Sequence, residues 1–505
     1  MSKIFTSSVL AVRLLSSAAA TLATATVCLL ALSGCTMTPK YHRPAAAIST
    51  NWPTAPQTSN ISTNTVPAAD IGWREFFRDP RLQRLVELAL TNNLDLRVAM
   101  LNVEQTRALY KVQRNALIPT VSANAGGTWQ REPNVFAPSS SNSPSITYNQ
   151  YTVDLGVASY EVDLFGRVRS LKKQALETYF ANVETRKSAQ IALVAEVGTA
   201  YLTEREVTEQ LAVARESLAA AQQNYDLTRH SFEAGVLSQL DLNAATVQLQ
   251  SARAAVAGYE QQQAQAYDNL VLLVGRPLPD DLPPAHSFNP QICLSDLPAG
   301  LPSGLLQRRP DILAAEHQLK AANANIGAAR AAFFPTVTLT GSDGSASSTL
   351  QGLFAPGSQA WGFSPQLVWP IFASGTAWHE LQAIKAAKLI QVATYQKTIQ
   401  TAFQEVADAL AARATVQTQL AANQALMEAD QLNYQLAQAS LRNGVDSALD
   451  VLAARQTLDT ARQTLIQSQY SRLFNLINLY QALGGGWREH TPQPEPSPKS
   501  APPSS

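Results

Sequence analysis

The sequence predicts a mixed fold in which long coiled-coil α-helices continue into short transmembrane β-strands, laid out twice along one chain. Three observations predict it. Residues 225–245 (YDLTRHSFEAGVLSQLDLNAA) and 434–454 (YQLAQASLRNGVDSALDVLAA) match at an offset of 209, the mark of an internal repeat. Of 28 prolines, none lies in 145–276 or 371–491, so both stretches are free to form long helices. Four other stretches alternate apolar and polar residues over about ten positions, the period and length of a barrel strand. The composition of the 505-residue chain agrees. With 38 basic and 38 acidic side chains, the charge balance argues against binding of nucleic acid through a basic surface. With 46% apolar and 15% charged residues, wholesale disorder is excluded too.

The first 34 residues are expected to leave before folding. Lys3 and Arg13 give a positive start, an uncharged apolar stretch follows over 14–32, and Leu32-Ser33-Gly34-Cys35 closes it. That is the layout of an export signal, and the tetrapeptide resembles a bacterial lipobox, in which the Cys is lipidated and becomes the new N-terminus. Removing 1–34 takes away two basic side chains, leaving 36 basic against 38 acidic, a net −2. Cys28 leaves with the signal and Cys35 carries lipid, so Cys293 has no partner for an internal disulfide and reads as a small packed apolar residue. After residue 34 no apolar run reaches the ~18 residues of a membrane helix. A membrane crossing must therefore use strands.

The repeat extends further. Glu196-Val197 pairs with Glu405-Val406 and Gly275 with Gly484 at 209. Asp95 pairs with Asp311 and Pro119-Thr120-Val121 with Pro335-Thr336-Val337 at 216. Each copy reads as a shorter helix (80–118 and 310–334), two strands (120–130 and 151–163; 336–346 and 361–371), a helix of roughly 68 residues, a tight turn at Gly235 or Gly444, and a returning helix. Gly at a helix end takes the left-handed conformation that stops it. Leu211, Leu218, Tyr225 and Phe232 follow at sevens, as do Leu420, Met427, Tyr434 and Leu441, the spacing of left-handed coiled-coil packing. The loops at 131–150 and 342–360 are rich in Ser, Pro, Asn and Gly. Four strands cannot close a membrane barrel, whose smallest form has eight. Two chains give eight strands and a filled interior, three give twelve and an opening; strand arithmetic excludes a monomeric barrel without choosing between them.

These residues resemble the TolC-like outer-membrane efflux factors, in the lipoprotein subgroup called NodT-type. The resemblance rests on Phe77-Arg78-Asp79-Pro80-Arg81-Leu82, Arg308-Arg309-Pro310-Asp311-Ile312, 328–335 (AARAAFFP), Leu272-Leu273-Val274-Gly275 and the paired turns. It implies a homotrimer with a 12-stranded barrel in the outer membrane and a 12-helix periplasmic tunnel. The implied partners are a periplasmic adaptor (membrane fusion protein), an inner-membrane pump of the resistance-nodulation-division (RND) type and outer-membrane lipid. The implied function is passive exit of drugs or other small toxic compounds. Cys35 carries over as the acylated residue, and Thr36 after it agrees with outer-membrane sorting. Gly235, Val236 and Ser238, with Gly444, Val445 and Ser447, carry over as adaptor-contacting tips. Asp450 carries over as a channel-constricting carboxylate with Asp446 beside it. Ala453 stands where many relatives have a second Asp.

The expected organisation is a lipoprotein signal peptide (1–34), a lipid-anchored segment (35–79), a first efflux repeat (80–275), an equatorial linker (276–309), a second repeat (310–484) and a tail (485–505). No catalytic constellation, paired metal-ligand spacing or phosphate-binding loop is present, so no enzyme activity, cofactor, metal or nucleic acid is expected. The alternatives are a type I secretion conduit, a lipid-anchored coiled-coil scaffold, and a lipid-anchored hydrolase for which no motif speaks.

Overall fold

The structure, a computed structural model, describes residues 36–45, 52, 66–133, 145–285, 288, 291–294, 297–298, 302–372, 375–445 and 447–492. The signal segment, Cys35, Asp446 and the end of the tail lie outside the described residues. In chain order the main elements are α1 (Pro80–Asn92), α2 (Leu94–Asn115), β1 (Val121–Pro133), β2 (Ser145–Val162), α3 (Arg167–Glu233) and α4 (Gln239–Val274). Then come α5 (Pro302–Arg308), α6 (Pro310–Ala331), β3 (Thr336–Ser347), β4 (Gln359–Val368), α7 (Thr376–Arg442) and α8 (Ala448–Ala482). A 3-10 turn at Ala68–Asp70 and a one-turn helix at Trp73–Phe76 precede them.

Helices α3 and α7 each run 67 residues, about 100 Å at the standard rise. The sequence allows this because proline is absent and the mid-helix positions are Ala, Gln, Leu and Glu, all good helix formers. The helix expected over 80–118 is instead two. Asn93 adopts extended angles (φ −61, ψ 129). Its side chain takes over the helix-end bonds, accepting from the Leu96 N–H and donating to the Leu273 carbonyl.

The chain divides into two compact units. The first holds residues 1–44, 104–180 and 316–393. Its centre is an antiparallel sheet in the order β1-β2-β3-β4, so β2 and β3 join the two halves of the sequence and β1 and β4 are the edges. The β2–β3 register slips between Val157 and Tyr160, where Ser159 has a positive φ of 54, the form of a bulge that bends and twists a strand. Every described side chain on β4 faces solvent in the single chain.

In this unit the N-terminal residues form a strap against α6 and the start of α3. Thr38 Oγ1 lies 3.0 Å from Ser170 Oγ, and Asn323 Nδ2 donates to the Pro39 carbonyl at 2.8 Å. Tyr41 and Arg43 both donate to Glu316, the latter at 2.6 Å, and Lys320 approaches the same carboxylate at 3.2 Å. Burial by itself would raise the Glu316 carboxyl, but Lys320 and Arg43 outweigh it and hold it below its ordinary value.

The second unit holds 45–103, 181–315 and 394–505. Its core is aromatic. Phe76 stacks on Tyr480 with centroids 3.9 Å apart, Phe77 meets Phe76 edge-on, and the Tyr480 hydroxyl donates to the Ile71 carbonyl. Asp79 caps α1 through the Arg81 and Leu82 N–H groups and accepts from the buried Tyr201 hydroxyl, so this buried carboxylate is satisfied on both oxygens. Cys293 is buried opposite Phe77 in an isolated bridge, and burial pushes its thiol pKa up. The start of the tail is held as well, with Trp487 and Arg488 carbonyls accepting from Gln190 Nε2 and the Trp73 N–H.

Candidate functional site: the paired helix turns

The two turns joining α3 to α4 and α7 to α8 are built alike, and the sequence explains why. Gly235 and Gly444 sit at φ 76 and 72. Behind Gly235 the Gly235 N–H bonds the Phe232 carbonyl and the Val236 N–H bonds the Ser231 carbonyl, both at 2.9 Å. Behind Gly444 the Gly444 N–H bonds Leu441 and the Val445 N–H bonds Ser440, both at 3.0 Å. These are the two bonds of a Schellman closure, which needs a left-handed residue at that place. A Cβ built on either glycine meets nothing within 4 Å. The requirement for glycine is therefore backbone conformation rather than space.

The returning helices start with matching capping boxes. Ser238 Oγ accepts from the Asp241 N–H at 3.3 Å, and Asp241 Oδ2 accepts from the Ser238 N–H and hydroxyl at 2.9 and 2.7 Å. Ser447 and Asp450 repeat this at 3.3, 3.0 and 2.6 Å. In both, the hydroxyl and then the backbone of the serine hold the carboxyl pKa below its ordinary value. Asp450, expected as a constriction residue, is thus ionised and fixed at the helix start, fully exposed in the single chain. Asp446 lies outside the described residues. The spacing Ser-x-x-Asp carried this cap in the sequence at both 238–241 and 447–450. Sequence reasoning singled out Asp450, Ser447 and Ser238 for other roles, missed the caps they form, and gave Asp241 no role.

The tip residues are also apolar and bare: Val236, Leu240, Val445 and Leu449 are 76%, 77%, 77% and 64% exposed. Further along the hairpins, Arg462 pairs with Glu216 at 3.0 Å, Arg455 with Asp459 at 3.0 Å, and Ser217 donates to Asp459, tying α3 to α8. Among the described residues no group of three or more His, Cys, Asp or Glu could hold a metal ion. Among them, too, no helix is long and apolar enough to cross a membrane.

Strands of ten or more residues in an edge-open sheet, together with 67-residue helices returning through glycine turns, are the architecture of a duct-forming membrane protein. The comparisons with known proteins name the group. The profile of the Outer membrane efflux protein family matches residues 85–276 and 301–485. The toluene efflux pump outer membrane protein TtgC of Pseudomonas putida is 47% identical over 462 residues, covering 92% of this chain and 95% of that protein. Outer membrane protein OprJ of Pseudomonas aeruginosa is 41% identical, covering 91% and 95%. The open state of the Neisseria gonorrhoeae MtrE outer membrane channel superposes with a TM-score of 0.81 at 39% identity, covering 91% of this chain and all of that one. The chain belongs to the outer membrane efflux protein family. It is an outer-membrane efflux channel, and its solved relatives combine a β-barrel with a helical tunnel.

Proposed function

We propose that this chain, as a homotrimer, forms the passive exit duct of a tripartite efflux system. A 12-stranded barrel made of three four-stranded sheets would cross the outer membrane, and twelve helices would line the periplasmic tunnel. The observation that carries this reading is the sheet itself. β1 and β4 are long edges with unpaired backbone groups, 13 and 10 residues. Such edges do not occur in hydrocarbon, so they must pair with other copies. Exposed apolar side chains support the same need on the helices: Leu94, Val98, Leu101, Leu109 and Val112 of α2 are all more than half exposed. Of the eight heptad residues near the turns only Leu211 is buried.

In this reading each half of the chain is one copy of an ancient duplication, and the domain limits are those expected from the sequence. Cys35 carries lipid, and the strap holds that anchor to the sheet unit. The exposed tips around Gly235, Val236 and Ser238 and around Gly444, Val445 and Ser447 receive a periplasmic adaptor, which delivers compounds from an inner-membrane RND pump. Asp450, with Asp446, narrows the entrance and favours cations, since like charges arranged in a ring repel one another and attract counter-ions. The cargo would be small toxic compounds; the relatives' names speak of toluene and antibiotics. Two measurements test this. The purified chain should run as a heat-modifiable trimer and conduct ions in planar bilayers. Crosslinking from residue 236 should capture a membrane fusion protein. A particle that stays single and passes no current refutes the duct, and co-purification with an ABC transporter instead of a proton-driven pump would move it to type I secretion.

A further inference from the structure

We propose that the helix ends next to the sheet form a basic collar that binds the anionic headgroups of phospholipids in the periplasmic leaflet of the outer membrane. The proposal rests on the sheet being the part of the chain that crosses that membrane. The strand register sets the collar's place. Val162 pairs with Val337, Thr336 with Val368, and Val121 opposes Val157, so α2, α3, α6 and α7 all join the sheet along one edge. The segments beyond that edge, with the strap, are 36–44, 104–118, 163–180, 316–334 and 376–393. Together they hold 13 Lys and Arg against 5 Asp and Glu. That is a net +8 in a mature chain whose total is −2, so the remainder carries −10.

Several of these cations have no counter-charge. On α2, Arg107, Lys111 and Arg114 are exposed and spaced by four and three residues, which puts them on one face of the helix. Lys173 and Lys388 are exposed as well. Among the described residues none of the five pairs with a carboxylate. Arg167 and Arg169 are matched by Glu161 and Asp163, and Arg43 by Glu316, so they add less. Exposed arginines of the second unit are matched in the same way: Arg215 pairs with Glu260 and Arg229 with Glu233, both at 2.9 Å. Unmatched positive charge on helices is thus a property of the region beside the sheet.

Aromatic side chains put this collar at the level of the headgroups. On β4, Trp361, Phe363 and Leu367 are exposed and alternate along one face, the apolar exterior of a barrel strand. The row continues past the strand with exposed Trp369, whose indole N–H donates to the Phe333 carbonyl at 3.3 Å, and with exposed Ile371. Trp378, in the first turn of α7, is exposed too, and Lys385 Nζ stands 6.0 Å from its ring centre. Tryptophan gathers where hydrocarbon meets water. A Lys or Arg just outside that line lies within reach of the headgroup charge. Charge complementarity then selects the occupant, since phosphate diesters attract a net +8 and zwitterionic headgroups do so far less. The lipid expected on Cys35 would enter the same leaflet, and the strap that follows it brings Lys40 and Arg43.

The probe is a mixed micelle. The detergent-solubilised full chain is incubated with equal amounts of phosphatidylglycerol and phosphatidylcholine, repurified, and its retained lipid counted. Wild type should keep phosphatidylglycerol over phosphatidylcholine by about fivefold, the factor one Lys or Arg supplies at an anionic surface. The preference should vanish near 1 M salt, where the Debye length is about 3 Å. The triple variant Arg107→Gln/Lys111→Gln/Arg114→Gln should lose most of it. Arg215→Gln/Arg253→Gln/Arg276→Gln, which removes as much charge from exposed positions of the second unit, should keep it. Equal preference in wild type and collar variant would overturn the proposal, and so would an equal loss in both variants. A wild type indifferent to phosphatidylglycerol whose collar variant loses oligomers would overturn it too, because the cations would then serve a neighbouring copy. Should the triple variant fail to fold, Lys385→Gln/Lys388→Gln takes two charges from the same collar and decides in its place. Oligomeric state and conductance are read on the same wild-type preparation. An assembled, conducting channel without lipid preference sinks the collar alone, whereas a single, non-conducting particle sinks the duct.

Discussion

Gly327 offers a substitution whose sign the structure decides against local propensity. It lies inside α6, where Gly→Ala normally stabilises by about 1 kcal/mol. Here a methyl group would stand 2.6 Å from Ser170 Oγ and 2.9 Å from the Thr38 Cα, and against Thr38 Oγ1. Cβ atoms do not approach that closely, and the Thr38 Cα is backbone, so the strap must leave. Its departure forfeits the Asn323–Pro39 bond at 2.8 Å and the Thr38–Ser170 bond at 3.0 Å, about 1 kcal/mol each. The Arg43–Glu316 pair goes with them; with Arg43 40% exposed it is worth about 0.5–1 kcal/mol after solvent screening. Set against the helix gain, Gly327→Ala should destabilise by about 2 kcal/mol. Two assays read it: the thermal midpoint, which should fall, and trypsin cleavage after Lys40, which should quicken because cleavage follows local release. Lys40 is the useful site, since Arg43 is followed by Pro44. In a chain lacking residues 36–45 the loss should shrink, leaving only the displacement of the Ser170 hydroxyl to set against the helix gain. A fall of equal size there, or a protected Lys40 in the full chain, would refute the strap as the cause.

The capping boxes let charge be separated from helix-end effects at the proposed tunnel entrance. Asp450→Ala removes both carboxylate and cap and should raise conductance or leak and lower cation selectivity in planar bilayers, whereas Ser447→Ala removes the cap alone and should leave selectivity unchanged; identical changes in both would assign the effect to the helix end. The Cβ of Gly444→Val meets nothing within 4 Å and the left-handed backbone there is strained by about 1–2 kcal/mol, so the substitution should impair export while the proposed trimers persist, and wild-type drug resistance would count against tip docking. Glu196, raised in the fold by burial and by Asp95, binds its proton more tightly folded than unfolded, so its contribution to stability falls as pH rises through that window. Glu196→Gln should therefore raise the thermal midpoint at neutral pH and give no gain below the carboxylate range; a gain independent of pH would point to packing instead.

What the sequence made legible follows from how far each signal reaches along the chain. The long helices and their turns were readable because proline, glycine and the seven-residue spacing are local, and the expected turns at Gly235 and Gly444 are where the structure turns. The break at Asn93 was not, since it depends on a side chain meeting the Leu273 carbonyl 180 residues away. Strand limits were less legible. β2 begins at Ser145 rather than near 151, because its length is set by pairing with β1 and not by its own alternation. The strap left no local trace: its bonds join residues 132 to 293 positions apart. The capping boxes are spelled out in the sequence as Ser-x-x-Asp at 238–241 and 447–450. For Asp450 the cap is observed and the proposed constriction role is compatible with it. A cap that keeps the carboxylate ionised also fixes where its charge stands, and a charge intended to act on passing ions gains from being held in place. Asp241 carries the same cap and the same ionised state, so any account of charge at the entrance that uses one carboxylate per chain has to include the other.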